Sequence, residues 1–292
     1  MSRPGAVAVV IPTLDEAASI AAVVRALPRD LVGRVIVADG GSADATAEQA
    51  HAAGAEVIAA GRGYGRACLA GAWAASDAEI VVFMDGDGAD DPASIAALVE
   101  PIRAGAFDFV VASRARGKRE PGSIGWHQLL AGRLAGLGMR ALYGVRYTDM
   151  CAFRAIRRDR LIALGMREMT YGWNIEMQMR AARAGLRILE IPVPYRRRAA
   201  GSSKVAGSLL GTLRASPRIV ATFARVARLS HPIEHDARAP SPPSGGEGRG
   251  EGVSPRVAAP AFVEGLLTPT LSPQELGEGA QAHAQAVRER DA

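Results

Sequence analysis

The sequence has few cysteines, few aromatic residues and no long apolar run. Cys68 and Cys151 are the only cysteines among 292 residues and lie far apart, so no disulfide framework is predicted and a reducing, cytosolic compartment is expected. No apolar run approaches the ~18 residues of a membrane-spanning helix, and residues 6–11 are too short for the apolar region of a signal peptide. An integral membrane protein is therefore not expected, whereas peripheral contact with a membrane face stays open.

Charge is unevenly distributed along the chain. The formal net charge is +5, but acidic residues outnumber basic ones over residues 1–100, and basic residues strongly outnumber acidic ones over 101–230. This asymmetry predicts two different ligand environments. From residue 231 to 292 the composition shifts to Pro, Gly, Ser and Glu, which cannot bury enough apolar area to offset chain entropy. We expect one domain over 1–230, divided into halves 1–112 and 113–230, and a disordered tail without chemistry.

Short apolar segments alternate with helical patterns in the first half. Strands are predicted at residues 6–11, 34–38, 56–59, 80–84 and 107–112, and each of the first four is followed by a helical segment. The first helix is predicted over residues 16–26, and the fourth is predicted to start at Pro92 and to run to residue 104. This alternation predicts an α/β fold with a mostly parallel sheet flanked by helices. Pro12 is expected to end the pairing of the first strand.

The second half is predicted to be mainly helical and basic. Helices are expected at residues 126–143, 171–184 and 205–228, with one short strand at 188–193 and a basic loop over 195–204. The helix at 126–143 fits a core helix best, although its arginines and Trp126 also suit a lipid surface. The segment 205–228 is amphipathic, with arginines beside apolar residues.

Polar residues follow three of the predicted strands. They lie at 12–16, at 39–44 and at Asp85 and Asp87. Ligands of open α/β sheets bind beyond the carboxyl ends of the strands, so these residues are expected to share one cleft. Asp85 and Asp87 offer the oxygen ligands that Mg²⁺ or Mn²⁺ prefers, and a cation there could bridge a diphosphate; the alternative is a solvated acidic turn. The glycine-rich loop around Gly63 could hold an anion or simply reverse the chain.

Five ordered motifs make the chain resemble a known family. They are V-V-I-P-T-L-D-E, V-A-D-G-G-S-A-D-A-T, M-D-G-D-G-A-D-D-P, V-A-S-R-A-R-G and Y-R-R-R-A-A-G-S-S-K. In this order and spacing they resemble glycosyltransferase family 2, and most of all its dolichyl/polyprenyl-phosphate mannosyl- and glucosyltransferase branch. The resemblance extends over about residues 6–210.

The resemblance implies a GT-A (Rossmann-like) fold, a UDP- or GDP-linked sugar donor, Mg²⁺ or Mn²⁺, and inversion at the anomeric carbon. It places Pro12, Leu14, Glu16 and Asp39 at the base and ribose, beside the Gly63 loop, and Asp85 and Asp87 at the metal. Arg114, Ser203 and Lys204 fall where acceptor and donor phosphates are expected, and the basic second half adds Arg133 as a further ligand of the acceptor phosphate. The chain departs from the family pattern at four positions, namely Leu14, Gly40, Ala89 and Ala152.

The charge distribution favours a lipid phosphate as the acceptor. Such an acceptor is already an anion, so its attack needs no general base, unlike transfer to a hydroxyl. A basic segment with amphipathic helices also suits an anionic membrane face. The sequence thus predicts a metal-dependent inverting hexosyltransferase acting on a polyprenyl phosphate, with Asp85, Asp87 and Arg114 as its catalytic residues.

Other functions explain the sequence less fully. Transfer to a sugar or small hydroxyl acceptor remains an alternative. A non-catalytic module that binds anionic lipid or nucleic acid is another, but such a module leaves the acidic residues at the strand ends unexplained. Nucleic acid is not an expected partner. A nucleotidyltransferase would need a glycine-rich loop directly after the first strand. An EF-hand loop would need glycine where Asp90 stands.

Overall fold

The structure, a computed structural model, describes residues 6–199 and 209–229. Its centre is one seven-stranded sheet in the order β3-β2-β1-β4-β6-β5-β7. The strands are β1 (Val7–Thr13), β2 (Arg34–Asp39), β3 (Glu56–Ala59), β4 (Ile80–Phe83), β5 (Phe109–Ser113), β6 (Arg154–Arg157) and β7 (Ile188–Pro192). All pairings are parallel except those of β6, which is antiparallel to both β4 and β5. The predicted mostly parallel α/β sheet is confirmed.

Helices cover both faces of the sheet. They are α1 (Ile20–Ala26), α2 (Thr46–Ala52), α3 (Tyr64–Ala74), α4 (Ile95–Arg103), α5 (Trp126–Tyr143), α6 (Arg158–Ala163), α7 (Trp173–Arg183) and α8 (Leu209–Ala227). Residues of α1, α2 and α4 belong to the core on one face, whereas residues of α3 and α5–α8 belong to the core on the other. Central strands such as β1 are therefore buried on both faces, which explains their continuous apolar sequences.

Three local predictions were wrong. The strand β1 continues through Pro12, which pairs with Ala38 of β2. This is possible because β1 pairs with β4 only as far as Val10. Pro12 therefore lies beyond the part of β1 that forms backbone hydrogen bonds with strands on both sides. The first helix, predicted from residue 16, begins at Ile20. The fourth helix, predicted to start at Pro92, begins at Ile95 after a 3₁₀ turn at Pro92–Ser94.

Two elements had not been predicted at all. They are β6 and the short helix α6 directly after it. The sequence of β6, R-A-I-R, has arginines at both ends and no apolar run, so only its position between two strands makes it a strand. The predicted tail at 231–292 lies outside the described residues, as does the start of the amphipathic segment at 205–208. Within 6–199 and 209–229, no helix is both long enough and apolar enough to cross a bilayer.

Candidate active site

A cleft of about 1090 Å³ begins at the carboxyl ends of β1 and β4, and Gly40, directly after β2, adds to its wall. These three strands are neighbours in the sheet, so the residues that follow them meet at one edge. The residues that line this strand-end part include Pro12, Leu14, Glu16, Gly40, Gly63, Tyr64, Asp85 and Asp87. The cleft then continues between helices, which form its helical part.

Asp39 shapes the turn after β2 through its own hydrogen bonds. Its carboxylate accepts hydrogen bonds from the backbone N–H of Gly41 at 3.1 Å, from the N–H of Ser42 at 3.0 Å and from the hydroxyl of Ser42 at 2.5 Å. Gly40, rather than Asp39, is the residue of this turn that lines the cleft. Asp39 is thus placed to hold the turn, and through it the cleft wall, in position.

Three carboxylates crowd the turn after β4. Asp87 and Asp90 are buried, and Asp85 is half-buried. Burial, and next the negative charge of Asp87, raises the pKa of Asp85 to about 6. Burial and the charges of Asp85 and Asp87 raise the pKa of Asp90 well above its usual value. Negative charge in this turn is therefore costly unless a cation balances it.

Asp87 already has one cationic partner. Its Oδ1 accepts a hydrogen bond from Ala89 N–H at 2.9 Å, and its Oδ2, otherwise without a hydrogen-bond partner, lies 2.9 Å from Nη2 of Arg198. Asp85 has a weaker contact, since the hydroxyl of Tyr64 lies 3.4 Å from its Oδ1.

The loop before α3 lies close to the segment before α7. A Cβ added to Gly63, which has φ +129°, would lie 2.5 Å from the carbonyl oxygen of Met169. That carbonyl accepts a hydrogen bond from Arg66 N–H at 3.0 Å. Glycine at position 63 therefore lets the loop pack directly against backbone and places Tyr64 beside Asp85.

An ion pair lies where the strand-end and helical parts of the cleft meet. Arg114 donates from Nε and Nη2 to the two carboxylate oxygens of Asp149, both at 2.8 Å, and its guanidinium lies 5.0 Å from the ring centroid of Tyr195. Burial alone would raise the pKa of Asp149, but the charge and hydrogen bonds of Arg114 outweigh burial and lower it. Asp149 is therefore held as an ionised partner of Arg114.

The helical part of the cleft is largely apolar. Its lining includes Ala131, Leu134, Ala135 and Gly138 of α5, Ile175 of α7, and Ile219, Val220 and Phe223 of α8. A Cβ on Gly138 would lie 2.7 Å from the ring of Phe223, so glycine allows α5 and α8 to approach. Two polar atoms of the cleft wall, His127 Nε2 and Asn174 Oδ1, are buried without a hydrogen-bond partner.

Comparison with known proteins decides the family. The model of the family described as "Glycosyl transferase family 2" matches residues 8–165, more than half of the chain. The chain belongs to glycosyltransferase family 2. It is a glycosyltransferase by this membership and by its named relatives, which confirms the resemblance seen in the motifs.

Among the relatives of this glycosyltransferase, an uncharacterised glycosyltransferase of Mycobacterium tuberculosis is 37% identical over 213 residues, which cover 71% of this chain and 93% of the relative. The undecaprenyl-phosphate mannosyltransferase of Micrococcus luteus is 33% identical, with 69% of this chain and 88% of the relative covered. The crystal structure of glucosyl-3-phosphoglycerate synthase from M. tuberculosis with Mn²⁺, UDP-glucose and phosphoglyceric acid has a TM-score of 0.61 and 26% identity, and the match covers 76% of this chain and 79% of that one.

The structure brings most of the sequence-predicted site residues of this glycosyltransferase into the one cleft. Pro12, Leu14, Glu16, Gly63, Asp85, Asp87 and Arg114 all line it. Asp39 contributes indirectly through its turn. Ser203 and Lys204 lie outside the described residues. Sequence reasoning had not assigned roles to Tyr64, Tyr195 or Arg198, although Tyr64 directly follows Gly63 and the other two belong to the motif Y-R-R-R-A-A-G-S-S-K.

Arg133 is not brought to the cleft. The cleft-lining residues of α5, such as Ala131 and Ala135, lie on one side of the helix, and Arg133 points to solvent beside the exposed Leu130 and Leu137. The prediction that Arg133 binds the acceptor phosphate therefore lacks geometric support. Helical spacing places Arg133 on a different side of α5 from Ala131 and Ala135, but it does not decide which side faces the cleft.

Arg154 also turns away from the cleft. Its guanidinium is buried and donates to the backbone carbonyls of Ala152 at 3.0 Å, Asn174 at 3.3 Å and Cys151. In this chain it holds together the turn that presents Asp149.

The donor set after β4 fits a divalent cation held by two protein ligands. Among the described residues no group of three or more His, Cys, Asp or Glu side chains could hold a metal. Of the three carboxylates in this turn, those of Asp85 and Asp87 line the cleft, and Oδ2 of Asp87 has no hydrogen bond of its own. A cation there would need further oxygen ligands from a bound molecule or water.

Proposed function

We propose that this glycosyltransferase moves a hexose from a nucleotide sugar to a polyprenyl phosphate, with inversion at the anomeric carbon. The observation that carries the proposal is the continuity of the cleft, which begins at carboxylates suited to a cation and ends in an apolar channel between α5, α7 and α8. The residues over 1–112 would hold the donor, and most of the acceptor contacts would come from 113–230.

The strand-end part of the cleft is assigned to the donor. Pro12, Leu14 and Glu16 would hold the base and ribose, and Gly63 lets the loop before α3 approach them. Asp85 and Asp87 would bind Mg²⁺ or Mn²⁺, as the Mn²⁺ and UDP complexes of the related synthase support. An ion held there would neutralise the charge that develops on the departing nucleoside diphosphate.

The helical part is assigned to the acceptor. Asp149 is bound at both carboxylate oxygens by Arg114, which leaves it poorly suited to remove a proton from a hydroxyl. A phosphate acceptor needs no such base. Arg114, at the junction of the two parts, is placed to contact the acceptor phosphate, and the apolar channel would take the adjoining hydrocarbon chain.

The surface around the channel supports a site of action at the membrane. Trp126, Leu130, Leu134 and Leu137 of α5 and Val220 of α8 are exposed, and Leu134 and Val220 also line the channel. Exposed apolar residues of this kind beside arginines are typical of helices that lie in a lipid interface. We place the protein peripherally on the cytoplasmic face, where a lipid acceptor would enter the channel directly.

A water-soluble phosphate acceptor is the second candidate. Glucosyl-3-phosphoglycerate synthase, with a similar structure, was crystallised with UDP-glucose and phosphoglyceric acid. A small acidic acceptor would use Arg114 equally well, but it would leave the apolar channel without a role.

A transfer assay distinguishes the two acceptors. The purified full chain is incubated with Mn²⁺, labelled UDP-glucose or GDP-mannose, and either a polyprenyl phosphate in detergent or 3-phosphoglycerate. We expect label in an organic-soluble product that mild acid releases, and loss of transfer in Asp87→Ala. Label only in a water-soluble product would overturn the lipid acceptor.

A further inference from the structure

The segment from Tyr195 to Ala199 lies directly against the turn that carries Asp85 and Asp87. Arg196 N–H donates to the carbonyl of Ala89 at 2.9 Å, and Ala199 N–H donates to the carbonyl of Asp87 at 3.0 Å. On its other side Tyr195 exchanges backbone hydrogen bonds with Lys118 at 2.9 Å and Glu120 at 3.0 Å. The segment is thus held between two loops at the wall of the cleft.

This backbone pairing sends neighbouring arginines to different carboxylates. Arg196 points outward and pairs with Asp91 at 3.3 Å, and its side chain is 56% exposed. Arg198 lines the cleft and pairs with Oδ2 of Asp87 at 2.9 Å. The side chain of Asp87 is 2% exposed, so the guanidinium of Arg198 is the cation that balances its charge in the structure.

A divalent cation and this guanidinium need the same carboxylate oxygen. Oδ1 of Asp87 is already bound by Ala89 N–H, which leaves Oδ2 as the atom best placed to coordinate a metal. Two cations cannot share one buried oxygen without strong repulsion, so metal coordination there requires Arg198 to withdraw. The released guanidinium would remain in the cleft wall, where a donor diphosphate held beside the metal would offer it an anionic partner.

We infer that Arg198 is a positioning residue with two partners: it neutralises Asp87 while the donor is absent and transfers to the donor diphosphate when a divalent cation takes Asp87. The inference rests on the cation site of the proposed function. It assigns to Arg198 a contact with the donor rather than with the acceptor, and it makes metal binding and nucleotide binding mutually dependent through one side chain.

Calorimetry of the full chain tests the inference without measuring activity. MnCl₂ is titrated into the wild type and into Arg198→Gln, first alone and then with saturating UDP, and UDP is titrated in saturating Mn²⁺. Without nucleotide we expect Arg198→Gln to bind Mn²⁺ roughly tenfold more tightly than the wild type, because the competing cation is gone. In saturating Mn²⁺ we expect Arg198→Gln to bind UDP roughly tenfold more weakly, and Arg198→Lys to restore part of that loss.

Arg196→Gln is the matched control, since it removes the same charge from the same segment but pairs with Asp91 outside the cleft. Its affinities for Mn²⁺ and UDP should stay close to those of the wild type. Equal Mn²⁺ affinity in the wild type and Arg198→Gln, or the same gain in Arg196→Gln, would overturn the exchange. A wild type that binds no Mn²⁺ with either UDP or GDP present would instead remove the cation site of the proposed function, and the inference with it.

Discussion

At the scale of single residues, the glycines of the loop before α3 matter through what they allow to come close. Gly63 and Gly65 both face backbone atoms of the segment before α7: a Cβ on Gly63 would lie 2.5 Å from the carbonyl oxygen of Met169, and one on Gly65 would overlap the carbonyl oxygen of Glu168. Backbone cannot move aside as a flexible side chain can. The packing of this loop, and with it the place of Tyr64 beside Asp85, therefore depends on glycine.

Gly63→Ala should destabilise the protein and weaken donor binding. The added methyl group meets the Met169 carbonyl and the residue keeps a positive φ, so we expect a loss of about 1–3 kcal/mol in the free energy of unfolding. Urea denaturation measures the loss, and UDP titration measures the affinity.

Gly105→Ala is the control for Gly63→Ala. Gly105 has φ +69° and nothing within 4 Å of an added Cβ, so it isolates the backbone strain, about 1 kcal/mol. It should leave UDP affinity unchanged. If the two variants lost the same stability and neither changed UDP binding, the contact with Met169 would have no role in holding the loop.

Residue roles were predictable from the sequence where spacing alone defines them. Asp85 and Asp87 follow an apolar strand at alternate positions, so their place at the cleft beyond the strand end could be predicted, whereas the burial of Asp87 could not. Arg198 could not be separated from Arg196 and Arg197 in the same basic run. Only the pairing of this run with the turn at 87–89 decides which arginine faces Asp87.

At the scale of elements, α8 is attached to the rest of the protein by charged groups. Glu168 accepts hydrogen bonds from Thr222 at 3.0 Å and from Arg218 at 3.3 Å, and Arg225 donates to Glu176 at 3.2 Å. Glu168 and Glu176 are buried, so α8 supplies the partners that their carboxylates need. Because α8 lines the cleft, this attachment fixes one wall of the apolar channel.

Glu168→Gln should loosen α8 and change acceptor kinetics more than donor kinetics. We expect a loss of about 1–2 kcal/mol in the free energy of unfolding, because Arg218 and Arg225 lose a charged partner while staying partly exposed. The KM for the acceptor should rise, with the KM for the nucleotide sugar little changed. Equal changes in both would contradict an attachment that acts on the channel.

The pH dependence of stability gives a second measurement for Glu168. Burial alone would raise the pKa of Glu168, but hydrogen bonds from Thr170 and Thr222 outweigh it and lower the pKa. A lowered pKa contributes stability above the unfolded pKa of about 4.3, and this contribution is lost as the pH falls through the folded value. The difference in stability between the wild type and Glu168→Gln should therefore narrow below about pH 4. The control is Glu100→Gln, an exposed helix pair with Arg103, which should cost no more than about 0.5 kcal/mol.

Elements were predictable where local pattern and tertiary position agree. The helix over 126–143 was predicted with the bounds that α5 has. Its environment was not predicted, because most of its leucines are exposed while Gly132, Gly136 and Met139 form its buried side. A Cβ on Gly136 would overlap the carbonyl of Tyr147, so small residues rather than large ones bring this helix onto the fold. Amphipathic periodicity alone assigns the large apolar residues to the core, and it therefore predicts as buried the side of α5 that is exposed.

At the scale of the whole molecule, the sheet separates two chemically different sides. The face with α1, α2 and α4 has its apolar residues in the core, whereas α5 and α8 on the other face expose Trp126, Leu130, Leu137 and Val220. Arg133, which does not line the cleft, lies next to these leucines, and both Arg133 and Arg140 are exposed. Apolar residues flanked by arginines at the opening of an apolar channel form a surface suited to anionic lipid.

Binding to vesicles should depend on this surface and on the charge of the lipid. We expect the wild type to co-sediment with vesicles containing phosphatidylglycerol and much less with pure phosphatidylcholine, and 0.5 M salt should weaken the binding. Arg133→Gln with Arg140→Gln should lower the partition coefficient by roughly tenfold or more, at about 1 kcal/mol per arginine.

Leu130→Ser with Leu137→Ser should weaken binding in both lipids without loss of folding, because both side chains are exposed. Arg25→Gln, on α1 across the sheet, removes one charge of the same kind and should bind as the wild type does. Equal losses in Arg25→Gln and in the α5 variants would mean that net charge, rather than this face, attracts the protein to the membrane.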